Sequence, residues 1–307
     1  MRYAKFNNDY RLDDLSGQTA LVTGTRGIGL EVASALHLRG ASTCVVGLNR
    51  SSGDAALHRL ANERPDIPCI FEQVNLGDLG SVHALVNRYR DRINRLDILV
   101  NNAGIVTGSR ELTEQGWERN IGVNYLGHFA LTGLLLPALR SSTNGRVVSV
   151  VSKGVANHKL RLNDLSYENA FNPITAYSES KLALLTFGSY LNTMSIAGEW
   201  GIASYLAHPG ICPTRIMDGA FASPTARRIV QRLYRMIGHP PAQAALSIIR
   251  CATDRMLQPG EVMGPSGLME LRGRPAASAL KKSIPPLSEA RALWSMSQSA
   301  TGMPFPS

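Results

Sequence analysis

Cysteine is scarce. Four residues, Cys44, Cys69, Cys212 and Cys251, lie far apart and form no CxxC pair. That spacing excludes a disulfide framework and a zinc pattern, and it suits a reducing, cytoplasmic setting. Charged residues are few, at 18% against the usual ~25%, which argues against a disordered chain. No apolar run reaches the ~18 residues that a membrane span needs. The polar start, residues 1–18, lacks the hydrophobic stretch of a signal peptide. The expectation is therefore a cytoplasmic protein with no transmembrane segment. The formal charge is +9, but Lys and Arg are scattered, with only short groups such as Arg227-Arg228 and Lys281-Lys282. No nucleic-acid stripe results, although part of the charge can attract an anionic cofactor. No His/Cys cluster suggests a metal.

What is present is a long apolar-rich chain. Its 307 residues are 44% hydrophobic, enough for a sizeable core. Short β-branched runs alternate with helical patterns. Strands are expected at residues 19–23, 42–46, 69–74, 96–100, 146–151 and 202–207. Helices are expected at 28–38, 52–61, 79–89, 112–139 with a break near Gly122, and 173–197. Such alternation predicts one α/β domain: a doubly wound parallel sheet with helices on both faces. Three stretches interrupt it: a polar loop at 153–172, a small helical lid at 213–237, and a tail at 267–307 rich in Pro, Ser and Gly. The tail carries a possible helix near 287–296 and is expected to pack on the domain, with 1–16 as an N-terminal extension. No internal repeat or domain linker is visible.

The segment Thr19-Ala-Leu-Val-Thr-Gly-Thr-Arg-Gly-Ile-Gly29 reads as strand, glycine turn and helix start. Glycines let backbone approach a pyrophosphate, and the helix N-terminus supplies free N–H groups and a positive dipole end. An ordinary tight turn is the plainer reading of glycines alone.

Tyr177-Ser-Glu-Ser-Lys181 puts Tyr and Lys one helical turn apart, on one face. A phenol has a pKa of ~10, which a neighbouring ammonium lowers. Such a phenol can donate a proton to a carbonyl or take one from an alcohol. Ser152 ends the fifth strand, at the carboxyl edge where ligands bind in parallel sheets. Its hydroxyl can donate to a substrate oxygen. Regular alternation along that strand would turn Ser149 to the opposite face. Asn124 interrupts the 112–139 helix, consistent with a local break or with a buried amide satisfied by backbone.

These residues, with Asn101-Asn102-Ala103-Gly104, Gly122-Val-Asn-Tyr-Leu-Gly-His-Phe129 and His208-Pro-Gly-Ile-Cys-Pro-Thr214, resemble the short-chain dehydrogenase/reductase family. The resemblance runs from about Leu15 to Met303. Leu126-Gly-His-Phe-Ala-Leu-Thr132, His208-Pro-Gly210, Gly264-Pro-Ser-Gly-Leu-Met-Glu-Leu271 and Ala292-Leu-Trp294 look like its retinol-dehydrogenase-like branch.

That resemblance implies a nicotinamide-dependent oxidoreductase with Asn124, Ser152, Tyr177 and Lys181 as catalytic residues. Asn124 would bind a water that relays protons to Lys181, and Lys181 would also hydrogen-bond the nicotinamide ribose. Cofactor contacts would come from Gly24, Arg26, Gly27, Ile28 and Gly29 at the phosphates, and from Asn75 and Leu76 near the adenine. Asn102, Ala103 and Gly104 would line the adenosine side. Tyr177, Lys181, Pro209, Gly210 and Cys212 would surround the nicotinamide half, with Thr214 near the phosphates. The chain departs from the family in three places. Only Thr25 and Arg26 separate Gly24 from Gly27, one residue fewer than usual. Asn75 replaces an Asp, and Leu48 stands where NADP(H) members often carry Arg.

An acid at the end of the second strand binds a ribose 2′-OH, whereas a basic residue accommodates a 2′-phosphate. Here the strand ends Val46-Gly47-Leu48-Asn49-Arg50, without an acid, and Arg26 is near. NADP(H) is therefore expected, with Arg50 at the phosphate. The branch implies a bulky apolar ketone or aldehyde and its alcohol, a carbonyl-reductase chemistry, with Ile216, Met217, Phe221 and Tyr234 shaping the pocket. Cys212, His128 and His208 read as structural. Two alternatives stay open at this point. One is a non-redox cyclase, isomerase or dehydratase on the same scaffold, and the other is a binding module with a vestigial site. Many relatives pair through the two long helices into a homo-oligomer, a surface this tail could cover.

Overall fold

A computed structural model describes residues 13–90, 94–213, 216, 219 and 223–306. Eight strands form one sheet in the order β3-β2-β1-β4-β5-β6-β7-β8. They are β1 Thr19–Thr23, β2 Ser42–Gly47, β3 Cys69–Gln73, β4 Ile98–Asn101, β5 Gly145–Val150, β6 Ile202–Ala207, β7 Val262–Pro265 and β8 Pro275–Ala277. All neighbours run parallel except β7 and β8. The helices are α1 Gly27–Leu38, α2 Arg50–Glu63, α3 Leu79–Arg90, α4 Arg119–Arg140, α5 Pro173–Ala197, α6 Pro224–Ile237, α7 Leu246–Thr253 and α8 Leu287–Thr301, with a short turn of helix at Pro241–Ala244.

This is the doubly wound parallel sheet that the alternation predicts. The central strands are buried on both faces, so they read as unbroken apolar runs, with Val22 paired to Val45 on one side and Val100 on the other. Alternation along β1 sends Leu21 into the core under α3, α4 and α5, and Ala20 and Val22 into the core under α1 and α7. The order reverses between β2-β1 and β4-β5. Ligands bind in the crevice at the carboxyl ends of such a reversal.

The expected helix over 112–139 begins only at Arg119. Glu118 caps it, accepting from the amides of Asn120 and Ile121. Before it, Leu112 and Glu118 pair as an isolated bridge. The break near Gly122 is a π turn, Gly122–Leu126, set inside α4. By length and composition α4 could cross a membrane, the one such helix among the described residues, yet 78% of its apolar window is buried in the fold. Its apolar character reflects packing between sheet and neighbouring helices, and a count of consecutive apolar residues passed over it. Residues 241–253, to which the alternation assigns no element, carry α7 and the short turn before it. The strands β7 and β8 were also unseen, being short and rich in Gly and Pro. Pro275 is tolerated because β8 lies on the edge.

Helix α5 starts on Asn172, whose side chain accepts from the amides of Ile174 and Thr175, with Pro173 at the first position. On its far side the tail closes an aromatic cluster. The rings of Trp294 and Phe305 lie 4.5 Å apart, and Trp294 stacks on Phe187 of α5 at 5.8 Å. Phe129 of α4 meets Phe305 at 5.0 Å. The tail thus covers part of the α4–α5 surface.

Candidate active site

The glycine turn between β1 and α1 closes with two residues, Thr25 and Arg26. Gly24 and Gly27 take φ of 106° and 53°, values that favour glycine. The turn is also tight. A Cβ on Gly29 would lie 2.6 Å from the Gly24 carbonyl and 2.4 Å from Asn102 Nδ2. Asn102 Nδ2 donates to the Thr23 carbonyl at 2.8 Å, so the turns after β1 and β4 are clamped together. Arg26 stands at the cap of α1 in extended conformation, with no side-chain cap bond and no acid in the first turn. That leaves a positive helix start. Ile28 lies in its first turn, half-buried. Thr25 turns inward and bonds Ser52 at 2.7 Å, pinning the shortened loop to the start of α2.

Arg26 and Arg50 are both exposed beside this turn. Arg50 lies 3.9 Å from Asp54, an exposed and weak pairing. Asn75 is engaged locally: its Oδ1 accepts from the Gly77 amide at 3.0 Å. Leu76 is buried, and a Cβ on Gly127 would come 2.2 Å from its carbonyl. Leu76 therefore sets the approach of α4.

Thr23, unnoticed in the sequence, is the hub between the two ends of the site. Its Oγ1 accepts from the amides of Asn102 at 2.8 Å and Ala103 at 2.9 Å. His128 Nε2 lies 3.0 Å from the same oxygen, and His128 Nδ1 lies 3.0 Å from the Asn124 carbonyl. A carbonyl only accepts, so Nδ1 carries the hydrogen and Nε2 accepts from the hydroxyl. Burial drives His128 down to about 3, so the ring is neutral. The structural reading of His128 is thus extended: it links the glycine turn to Asn124. A Thr immediately before the Gly turn was the available signal.

At the chemical end, Tyr177 and Lys181 project from one face of α5, and Lys181 Nζ donates to the Val150 carbonyl at 2.9 Å. A Cβ on Gly104 would lie 3.3 Å from both Asn124 Oδ1 and Lys181 Nζ, and 3.5 Å from Ile216 Cδ1. The Asn102-Ala103-Gly104 turn, Asn124, Lys181 and Ile216 therefore converge on one point. Asn124 is more fully engaged than expected. Its Oδ1 accepts from the Ile105 amide at 2.8 Å, and its Nδ2 donates to the Ile105 carbonyl at 3.0 Å and to Ser180 Oγ at 2.9 Å. Ser180 donates in turn to the Tyr177 carbonyl at 2.7 Å. The Asn124 amide is thus a positioning group, and a water relay would have to use its main-chain carbonyl, beside the π turn.

Ser152 faces Tyr177 and draws its phenol downward, while burial, the larger effect, pushes it above its ordinary value. The expected lowering by the ammonium is not what dominates, because burial acts on both groups. Lys181 is itself brought down to about 7 by burial. Strand β5 ends at Val150, so alternation does not carry through to Ser152. Ser149 also faces α5, its Oγ 3.4 Å from a Cβ placed on Gly188.

The segment after β6 is fixed by its surroundings. Gly210, at φ 69°, would bring a Cβ within 2.5 Å of the Leu271 carbonyl. The Pro209 carbonyl accepts from His239 at 2.6 Å. His208 Nε2 meets Glu270 at 2.8 Å and Ser278 at 3.1 Å, holding the tail to the end of β6. Burial pushes the Cys212 thiol up to about 12, which suits a packing role. Thr214, Met217 and Phe221 lie outside the described residues. Tyr234 of α6 is near enough to Tyr177 to help hold its phenol up. No group of three or more His, Cys, Asp or Glu suited to a metal occurs among the described residues.

Known proteins resemble this chain. The short chain dehydrogenase family pattern matches residues 18–224. Polyprenol dehydrogenase from Danio rerio is 33% identical over 285 residues, covering 90% of this chain and 86% of its own. Retinol dehydrogenase 12 from Homo sapiens is 31% identical over 248 residues, covering 80% and 76%. A crystal structure of an uncharacterized protein from Mycobacterium Paratuberculosis superimposes with a TM-score of 0.75 at 30% identity, covering 96% and 97%. A parallel sheet with a glycine turn at its reversal, and a Tyr–Lys pair on the helix beside it, place this chain in the short-chain dehydrogenase/reductase family, in the retinol-dehydrogenase-like branch, as an NAD(P)-dependent oxidoreductase.

Proposed function

We propose that the protein interconverts a bulky apolar ketone or aldehyde and its alcohol, using NADP(H). The observation that carries this reading is the convergence of Tyr177, Lys181, Ser152 and Asn124 beside Gly104, a position where a Cβ would crowd both Lys181 Nζ and Asn124 Oδ1. The cradle suits a dinucleotide: tight glycine backbone and a positive helix start at one end, an ammonium and a phenol at the other. Arg26 and Arg50, with no acid at the end of β2, favour a 2′-phosphate.

A nicotinamide held in this cradle would supply or accept the hydride. Tyr177 Oη holds the proton that the substrate oxygen gains in reduction and loses in oxidation. Ser152 Oγ donates to that oxygen and steadies its developing charge. Lys181 Nζ, anchored on Val150, offers its ammonium to the ribose and to the Tyr177 phenolate. Asn124, His128 and Thr23 hold these groups in register with the phosphate turn. Helix α6 would act as a lid, with Tyr234 and Ile216 facing the chemistry, and shield the site from water. Relatives named for polyprenol and retinol support an apolar substrate.

Titration with NADPH and NADH, followed by a screen of apolar carbonyl compounds at the NADPH absorbance band, tests this. Tight NADPH binding with turnover of large apolar carbonyls is expected. Failure to bind either dinucleotide would refute the reading.

A further inference from the structure

Helix α6 has one broad apolar face, of which only part is covered. Val230, Tyr234 and Ile237 recur one helical turn apart and are half-buried, Tyr234 toward the reaction centre. Ile229, Leu233 and Met236 recur with the same spacing along the adjoining edge of that face, 64%, 48% and 70% exposed. An amphipathic helix packed on a core needs only one such stripe. The second stripe turns apolar surface to the outside.

A second apolar tip adjoins it. Leu268 and Met269 are 85% and 66% exposed. Ile211 joins the two segments: its amide donates to the Leu271 carbonyl at 2.8 Å, and its carbonyl accepts from the His239 amide at 3.0 Å, just past the end of α6. The tip is held outward. Glu270 accepts from Ser278 at 2.7 Å and from the Ala279 amide at 2.7 Å, and Lys153 bonds the Met269 carbonyl.

Charge decides what this surface meets. Residues Pro224–Ile237 contain four arginines and no Asp or Glu. Arg228 and Arg232 are exposed beside the apolar stripe, and Arg272 is exposed beside the second tip and close to His239. An isologous contact with a second copy would set arginine against arginine, with no acid on the helix to offset them. A sheet of anionic headgroups over hydrocarbon complements both features, as for interfacial amphipathic helices. We propose that the outer face of α6, with the Leu268–Met269 tip, docks on an anionic lipid bilayer surface. The reaction centre then lies directly behind the docked helix, so an apolar substrate can pass from the bilayer to Tyr177 without crossing water. Docking itself stands apart from the substrate reading, because vesicle binding is measured without turnover.

The full chain is floated with vesicles of phosphatidylcholine, alone or mixed with phosphatidylglycerol. Binding to the mixed vesicles, weakening as salt rises, is expected. I229S/L233S/M236S should lower partitioning at least about tenfold. R228A/R232A should lower it about fivefold per arginine on anionic vesicles and change it little on neutral ones. Both variants should keep the wild-type melting temperature and NADPH affinity; if the triple variant misfolds, the arginine variant carries the test alone. No binding by the wild type, equal binding by both variants, or a wild-type dimer that the triple variant dissolves without any vesicle binding would overturn the proposal.

Discussion

Lys181 Nζ donates a 2.9 Å hydrogen bond to the carbonyl of Val150, the last residue of β5. The bond ties the helix bearing the proposed acid–base pair to the strand edge next to Ser152. It also keeps a buried ammonium in a place where burial lowers its pKa to about 7 from 10.5.

That charge has a stability consequence. The folded chain holds the Lys181 proton less tightly than the unfolded chain does. Stability contributed by this group therefore rises with pH between about 7 and 10.5, and below that window the buried charge is a full penalty. Lys181→Met should be more stable than wild type at neutral pH, by on the order of a few kcal/mol, while losing most activity. In the wild type, carbonyl reduction that needs the ammonium should decline as pH rises through about 7. A variant less stable than wild type at pH 6 contradicts this electrostatic account.

The glycine turn leaves no room at Gly29. A methyl group there meets backbone at Gly24, which cannot swing aside as a side chain can. Gly29→Ala should raise the NADPH dissociation constant at least about tenfold, with the sheet intact by circular dichroism. Unchanged affinity means that the turn does not receive the phosphates.

Arg26 and Arg50 are proposed to meet the 2′-phosphate. Arg26→Ala and Arg50→Ala should each weaken NADPH by about tenfold and leave NADH nearly unaffected. Isothermal titration with both dinucleotides checks this, and equal losses for the two remove the 2′-phosphate assignment.

The tail is part of the core. Trp294 is 6% exposed and packs on Phe129, Phe187 and Phe305. Trp294→Ala should cost about 3–5 kcal/mol in urea unfolding, with turnover per folded molecule preserved. A cost below about 1 kcal/mol would mean that the aromatic cluster is peripheral.

Much of this was legible in the sequence, for physical reasons. Strands β1, β2, β4, β5 and β6 announce themselves as apolar runs because both faces of the sheet are buried there, whereas β3 lies on the edge and is half-buried. Tyr177 and Lys181 share a face because helical periodicity requires it. β7 and β8 escaped because pairing with neighbours, rather than propensity, makes Val262–Pro265 and Pro275–Ala277 strands. The Thr23–His128–Asn124 linkage joins β1 to α4, 105 residues further along the chain, so the Thr before the glycine turn hints at a role without showing its partner. The rise of the Tyr177 phenol comes from burial, a property of the folded surroundings and not of the Tyr–Lys spacing.

The central claim is that the Tyr177 phenol carries the proton. Single-turnover oxidation of NADPH with an apolar aldehyde, compared between wild type and Tyr177→Phe, tests it most directly. The account predicts a fall of about 10²–10⁴ in the hydride-transfer rate with the NADPH dissociation constant unchanged. A phenylalanine variant that oxidises NADPH as fast as wild type would contradict it.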